Sequence, residues 1–161
     1  MGIVNKFIVF VVLGIPFLNT THAQVVNVGI KYEERTMFQA GINVPLIFDN
    51  TRPFDISYGV DYTSPNARVP SGLQAQTTAL YFIIDDEKLF LLALGLNAGY
   101  LFDFNKQFNN QFRFTPHLYT EFFLFNCKVG YDYMIPFNKG YPAISIGIGG
   151  GYLFRHFKIG L

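Results

Sequence analysis

Tryptophan is absent, cysteine occurs once, and only 14% of the 161 residues are charged. The single cysteine, Cys127, excludes an internal disulfide framework and any site built from several cysteines. A soluble domain usually carries about 25% charged residues, so a surface in water would be short of solvating groups here. Neither sign of charge dominates: 12 Lys and Arg face 11 Asp and Glu, with no basic cluster. Nucleic acid is therefore not an expected partner, because phosphate binding needs grouped Lys and Arg. A long apolar run is missing as well. The longest in the later chain, Leu89 to Phe102, has fourteen residues and contains Gly95 and Gly99. A spanning helix needs about 20 residues, and glycine weakens a helix interior. The length suits one domain with a core, not two.

What is plentiful is aromatic and aliphatic: 19 Phe, 10 Tyr, and half of all residues hydrophobic. Met1 to Ala23 reads as a signal peptide. Lys6 supplies the positive start, Phe7 to Leu18 the apolar stretch, and Thr21-His22-Ala23 the small residues before a cut at Gln24. The alternative, a short membrane anchor, is disfavoured because twelve residues are too few to cross as a helix. No Cys follows for a lipid anchor, and Gly2 lacks the Ser or Thr at position 6 that myristoylation needs. The expected organisation is a leader over 1–23 and one domain over 24–161.

Within that domain the apolar residues recur with a period of two, the mark of strands. Phe54, Ile56, Tyr58, Val60 and Tyr62 alternate with Asp55, Ser57, Gly59, Asp61 and Thr63. Phe112, Phe114, Leu118, Phe122 and Leu124 alternate with Gln111, Arg113, Thr115, His117, Tyr119 and Glu121. The pattern returns from Val25, around Phe38 to Val44, from Val129 to Ile135, and from Ile144 to Phe154. With Leu73 to Ile84 and Lys88 to Phe104, eight strands are expected. Their lengths of about 9–13 residues suit tilted membrane strands better than soluble ones. Most prolines fall in loops or at strand ends, and Pro116 alone interrupts a strand, predicting a bulge.

The faces choose between two barrels. A soluble lipocalin-like barrel binding an apolar ligand would turn the aromatic face inward; a membrane barrel does the reverse. The polar face is rich in small residues, which suit the crowded interior of eight strands. A water-facing surface would need more Lys and Glu. The expectation is an all-β, eight-stranded antiparallel up-and-down transmembrane barrel. Tyr62, Tyr81, Phe102, Tyr133 and Tyr152 are expected in interfacial girdles.

The leader, the eight alternating segments and the ending Gly151-Tyr152-Leu153-Phe154 give the chain its resemblance. From Gln24 to Leu161 it resembles the small outer-membrane β-barrels of Gram-negative bacteria, of the OmpA/OmpX-like type. The resemblance implies an outer-membrane address, lipid surroundings, and insertion by the barrel-assembly machinery, which reads an aromatic chain end. This chain runs on through Arg155 to Leu161, so the barrel closes either at Phe154 or, past a bulge, at Leu161.

An inward polar face would place Lys31, Arg113, His117 and Lys128 in the lumen with Asp55, Asp61, Glu121 and Asp132. Such charges persist only when paired, so a plugging network is expected, with a narrow proton or ion path as the alternative. No solute-sized pore and no cofactor are expected. His117 and Glu121 sit about 13–14 Å apart along an extended strand, too far to hydrogen-bond. No His-X-Ser signature or metal-ligand spacing appears, so catalysis is not expected, an outer-membrane lipid-modifying enzyme being a third reading. Four short outer loops are expected at Glu33-Glu34, Thr63 to Gly72, Asn105 to Asn110 and Asn138 to Tyr141. Around the third, Phe104, Phe108 and Phe112 form either part of a girdle or an aromatic ridge for a protein or glycolipid. A single copy is the expected state, and Cys127 an inert thiol on the apolar face.

Overall fold

A computed structural model of the chain describes residues 25–47, 51–86, 90–104 and 108–152. The expected leader and both expected chain ends, Phe154 and Leu161, lie outside these residues. Eight strands follow one another: β1 (Val25–Glu33), β2 (Arg35–Pro45), β3 (Phe54–Thr63), β4 (Gly72–Asp86), β5 (Phe90–Asp103), β6 (Gln111–Phe122), β7 (Phe125–Ile135) and β8 (Lys139–Gly150). Each pairs antiparallel with the next, and β1 pairs with β8, so the sheet closes into a barrel in sequence order. Closure gives every strand two neighbours and leaves no open edge. Among the described residues no helix is long and apolar enough to cross a membrane, which says nothing of strands.

The alternation read from the sequence becomes an inside and an outside. On β6, Gln111, Arg113, Thr115, His117, Tyr119 and Glu121 are buried, while Phe112, Phe114, Leu118 and Phe122 are exposed. On β8, Ser145 is buried between Ile144 and Ile146, and Ile148 is 61% exposed. Glu33 and Asp132, by contrast, are fully buried. This polarity is the opposite of the usual one, in which charged residues are rarely buried and apolar ones usually are.

Three departures from the expected pattern have local causes. Pro116 makes no bulge. It stays in register with Leu96 on β5, while the ladder to β7 drops its pairs at Thr115 and Pro116 and resumes at His117 unshifted. A missing N–H removes hydrogen bonds without requiring an extra residue. The bulge lies instead on β4, where Ile83 is extra between the pairs Phe82–Ala93 and Ile84–Leu92. It lets two successive isoleucines, Ile83 and Ile84, both face outward. The third departure is at the end of β8, which stops at Gly150. Gly149, Gly150 and Gly151 take positive φ values of 119°, 109° and 147° and break the alternation. Tyr152 therefore turns into the barrel and is buried, and does not join an outer girdle. Tyr81 and Tyr133 do lie on the exposed face.

Apolar clusters flank the polar interior. At the end carrying the β1–β2 turn, Val69 of the β3–β4 loop packs with Met37, Met134 and Tyr141 over the mouth, with Phe137 against them. At the other end Val25, Leu80, Phe82, Leu91, Ala93, Tyr119 and Tyr152 form the second cluster.

Candidate functional site: the polar interior

Going down the barrel from the Glu34 end, the first level is a set of four charges. Lys31 of β1 forms ion pairs with Glu33 and with Asp132 of β7, the latter at 2.6 Å. Asp132 also accepts a hydrogen bond from the Thr115 hydroxyl at 2.5 Å and lies 3.6 Å from Arg113 Nη1. Arg113 Nη2 donates to the Pro70 carbonyl at 2.7 Å, tying the β3–β4 loop into the mouth. That loop is shaped by Asn66, which donates its N–H to Ser71 Oγ and accepts the N–H of Arg68 on its side chain. Two cationic side chains face two carboxyl groups here, the kind of mutual partnering that buried charges require.

The second level is built of amides. Gln39 Nε2 donates to Asp61 Oδ2 at 2.7 Å. Gln74 donates to Gln76, and Gln76 to Asn43, at 3.1 and 3.3 Å. A cavity of about 50 Å³ lies here, lined by Gln39, Asp61, Asn97, His117, Asn126 and Lys128 among others. The third level closes the far end. Glu121 accepts the Tyr119 hydroxyl at 2.9 Å and the Gly151 N–H at 3.0 Å. The Tyr152 hydroxyl meets Ser57 Oγ at 3.0 Å, and Asp55 accepts the Ile47 N–H at 3.1 Å.

The eight residues picked from the alternation, Lys31, Asp55, Asp61, Arg113, His117, Glu121, Lys128 and Asp132, all line the interior. They do not form one network. Lys31, Arg113 and Asp132 meet at the first level, Asp61, His117 and Lys128 line the second, and Asp55 and Glu121 cap the third. His117 is tied to its own strand, Nδ1 lying 2.9 Å from the Thr115 carbonyl oxygen, and does not meet Glu121. Glycine makes room for its ring: a Cβ on Gly95 would lie 2.3 Å from His117 Nε2. Glu33 was expected in the first outer loop and instead points inward as the partner of Lys31. The signal for it was parity, since Asn27, Gly29 and Lys31 precede it on the polar face. The Pro70 carbonyl carries no sequence signal, being backbone. Among the described residues no group of three His, Cys, Asp or Glu is placed to hold a metal.

The three phenylalanines of the expected ridge take different neighbours. Phe112 lies on the exposed face, edge-on to Tyr100 at 5.0 Å between ring centres, and Phe104 lies 6.3 Å from Tyr62. Phe108 takes another direction, packing edge-on against Phe137 at 5.3 Å, and Lys139 Nζ lies 5.0 Å from the Phe137 ring centre. Phe108 thus belongs to the mouth, Phe104 and Phe112 to the wall. Cys127 is a free, half-buried thiol.

No family model, no curated protein and no solved structure matches this chain. What stands is the architecture itself: the described residues are all-β, and their eight antiparallel strands close into a barrel.

Proposed function

We propose that this chain is an integral outer-membrane β-barrel of a Gram-negative envelope, exported by a cleaved signal peptide and held as a single copy. Its role is structural or interactive, without a solute-sized pore and without catalytic chemistry. Its partners are outer-membrane lipid and, during insertion, the barrel-assembly machinery. One observation carries this reading: the exposed face of the wall is apolar around the ring. Val28, Ile30, Phe38, Leu94, Leu118, Val129, Ile146 and Ile148 are all more than 40% exposed. Fully burying such a side chain gains roughly 1.5–3 kcal/mol, so taking its exposed half out of water gains about 1 kcal/mol. Summed around the ring, that is comparable with a domain's whole net stability of about 5–15 kcal/mol. Lipid removes that cost, and a closed barrel satisfies the backbone within it.

Height agrees. A twelve-residue strand such as β8 (Lys139–Gly150) is about 40 Å long, and at a tilt of about 40° it covers about 30 Å of membrane normal. The interior supports the absence of a pore, since paired charges and two apolar clusters occupy it.

Cell fractionation followed by gel electrophoresis with and without boiling tests the proposal. A detergent-dependent envelope protein whose mobility shifts on heating is the expected result. A water-soluble protein with no heat shift would overturn it and favour the soluble lipocalin-like barrel.

A further inference from the structure

The second level of the interior contains a cation and several amides whose needs the protein alone does not meet. Among the described residues Lys128 has no carboxylate within 4 Å, while Lys31 and Arg113 both have one. Gln39 commits its amide nitrogen to Asp61, which fixes its other atom, the buried Oε1, as an acceptor without a protein partner. Asn97 directs its nitrogen toward Gln76 at 3.5 Å, and its Oδ1 is likewise unpartnered. On the donor side the buried Asn126 Nδ2 is unpartnered, as is the hydroxyl of Ser145. Gln39, Asn97, Asn126 and Ser145 are each more than nine-tenths buried, and all four line the cavity of about 50 Å³ that Lys128 and Asp61 share.

We propose that this cavity is a water site, holding a cluster of about three or four ordered waters that joins Lys128 to Asp61 through Gln39, Asn97 and Asn126. The number follows from the volume, since one water needs about 10–15 Å³ of such space. The chemistry of the lining selects water over an ion. An anion would suit Lys128 and Asn126 but would face the oxygens of Gln39, Asn97 and Asp61. A cation would suit those oxygens but would face the Lys128 ammonium. Only a group that both donates and accepts meets every need at once, and an unmet buried polar group costs about 1–3 kcal/mol. Bridging water makes polar contacts nearly as good in enthalpy as direct ones. Lys128 and Asp61 are thereby paired without touching, and the level is neutral. The inference does not rest on the membrane reading, because the lining is the same whatever surrounds the wall.

The test uses the full chain folded in detergent micelles, or in buffer if it proves water-soluble. Magnetisation transfer from water to the side-chain amide protons of Gln39, Asn97 and Asn126 is measured by NMR. Cross-peaks of long-lived water at all three amides are expected; their absence from all three would overturn the proposal. Crystals soaked in rubidium or bromide provide the second arm. An anomalous peak beside Lys128 or Asp61 would replace water by an ion and overturn it too, whereas none is expected. In Lys128→Met the water signal at Asn126 should fall at least twofold while the barrel stays folded. An unchanged signal there would remove Lys128 from the cluster. Should that variant not fold, the first two measurements decide alone.

Discussion

At the scale of single residues, Asp132 matters most, because Lys31, Arg113 and Thr115 all direct polar groups at its carboxylate. Removing one member of a buried ion set leaves the others charged and uncompensated, at a cost of about 3–5 kcal/mol. Asp132→Ala should lower unfolding free energy by that amount in urea titrations of the micelle-folded protein. Adding Lys31→Met should recover part of the loss, since the orphaned cation goes with it. An equal or larger loss in the double variant would mean that the carboxylate acts by packing. These residues were legible because charge on a polar face of period two has only one place to go in a closed barrel. Glu33 was not, because two adjacent glutamates resemble a turn; only Glu34 is one, with a positive φ of 54°. Tyr152 was misread for a related reason. Parity carries a side chain outward only while the backbone stays extended, and three glycines end that condition.

Those glycines are an element-scale device. Gly150 has φ of 109°, and a Cβ there would lie 2.7 Å from the Glu121 carboxyl group, which is already held by Tyr119 and by the Gly151 N–H. Gly150→Ala should therefore cost about 1–3 kcal/mol, read from the urea midpoint, as backbone strain of this kind does. A smaller change would show that the segment after β8 relaxes freely. Strand existence was readable throughout, and strand ends were not. β8 begins at Lys139, inside the expected fourth loop, because Gly140 and Tyr141 continue the pairing to Tyr133 and Asp132. Pro142, one of the prolines expected in loops or at strand ends, sits within β8 opposite Tyr131. A proline's position says that one hydrogen bond is lost; it does not say which neighbour loses it.

For the whole molecule, the alternation gave eight strands and antiparallel neighbours follow from short connections, but closure of β8 onto β1 is a long-range fact that no local pattern carries. Which face meets which medium is also a whole-molecule property, and it can be probed on β8. Ile146→Arg should cost about 2–4 kcal/mol when the protein is folded in lipid vesicles, where a cation on the outer wall is desolvated. In a water-surrounded barrel an exposed substitution of this kind stays within about 0.5 kcal/mol, so the lipid value separates the two media. The ion set beneath the mouth has a further consequence for how the ring is put together. A strand that slips by one residue exchanges its faces and is rejected by hydrophobicity. One that slips by two keeps every apolar side chain outside, and the alternating pattern is blind to the error. Lys31 and Asp132 stand on β1 and β7, which are not neighbours in the sheet, and reach each other only across the lumen. A two-residue slide at either junction with β8 would carry one of them about 7 Å along its strand. The charges thus act as a key for alignment, separating one register from others that greasiness alone would rank as equal.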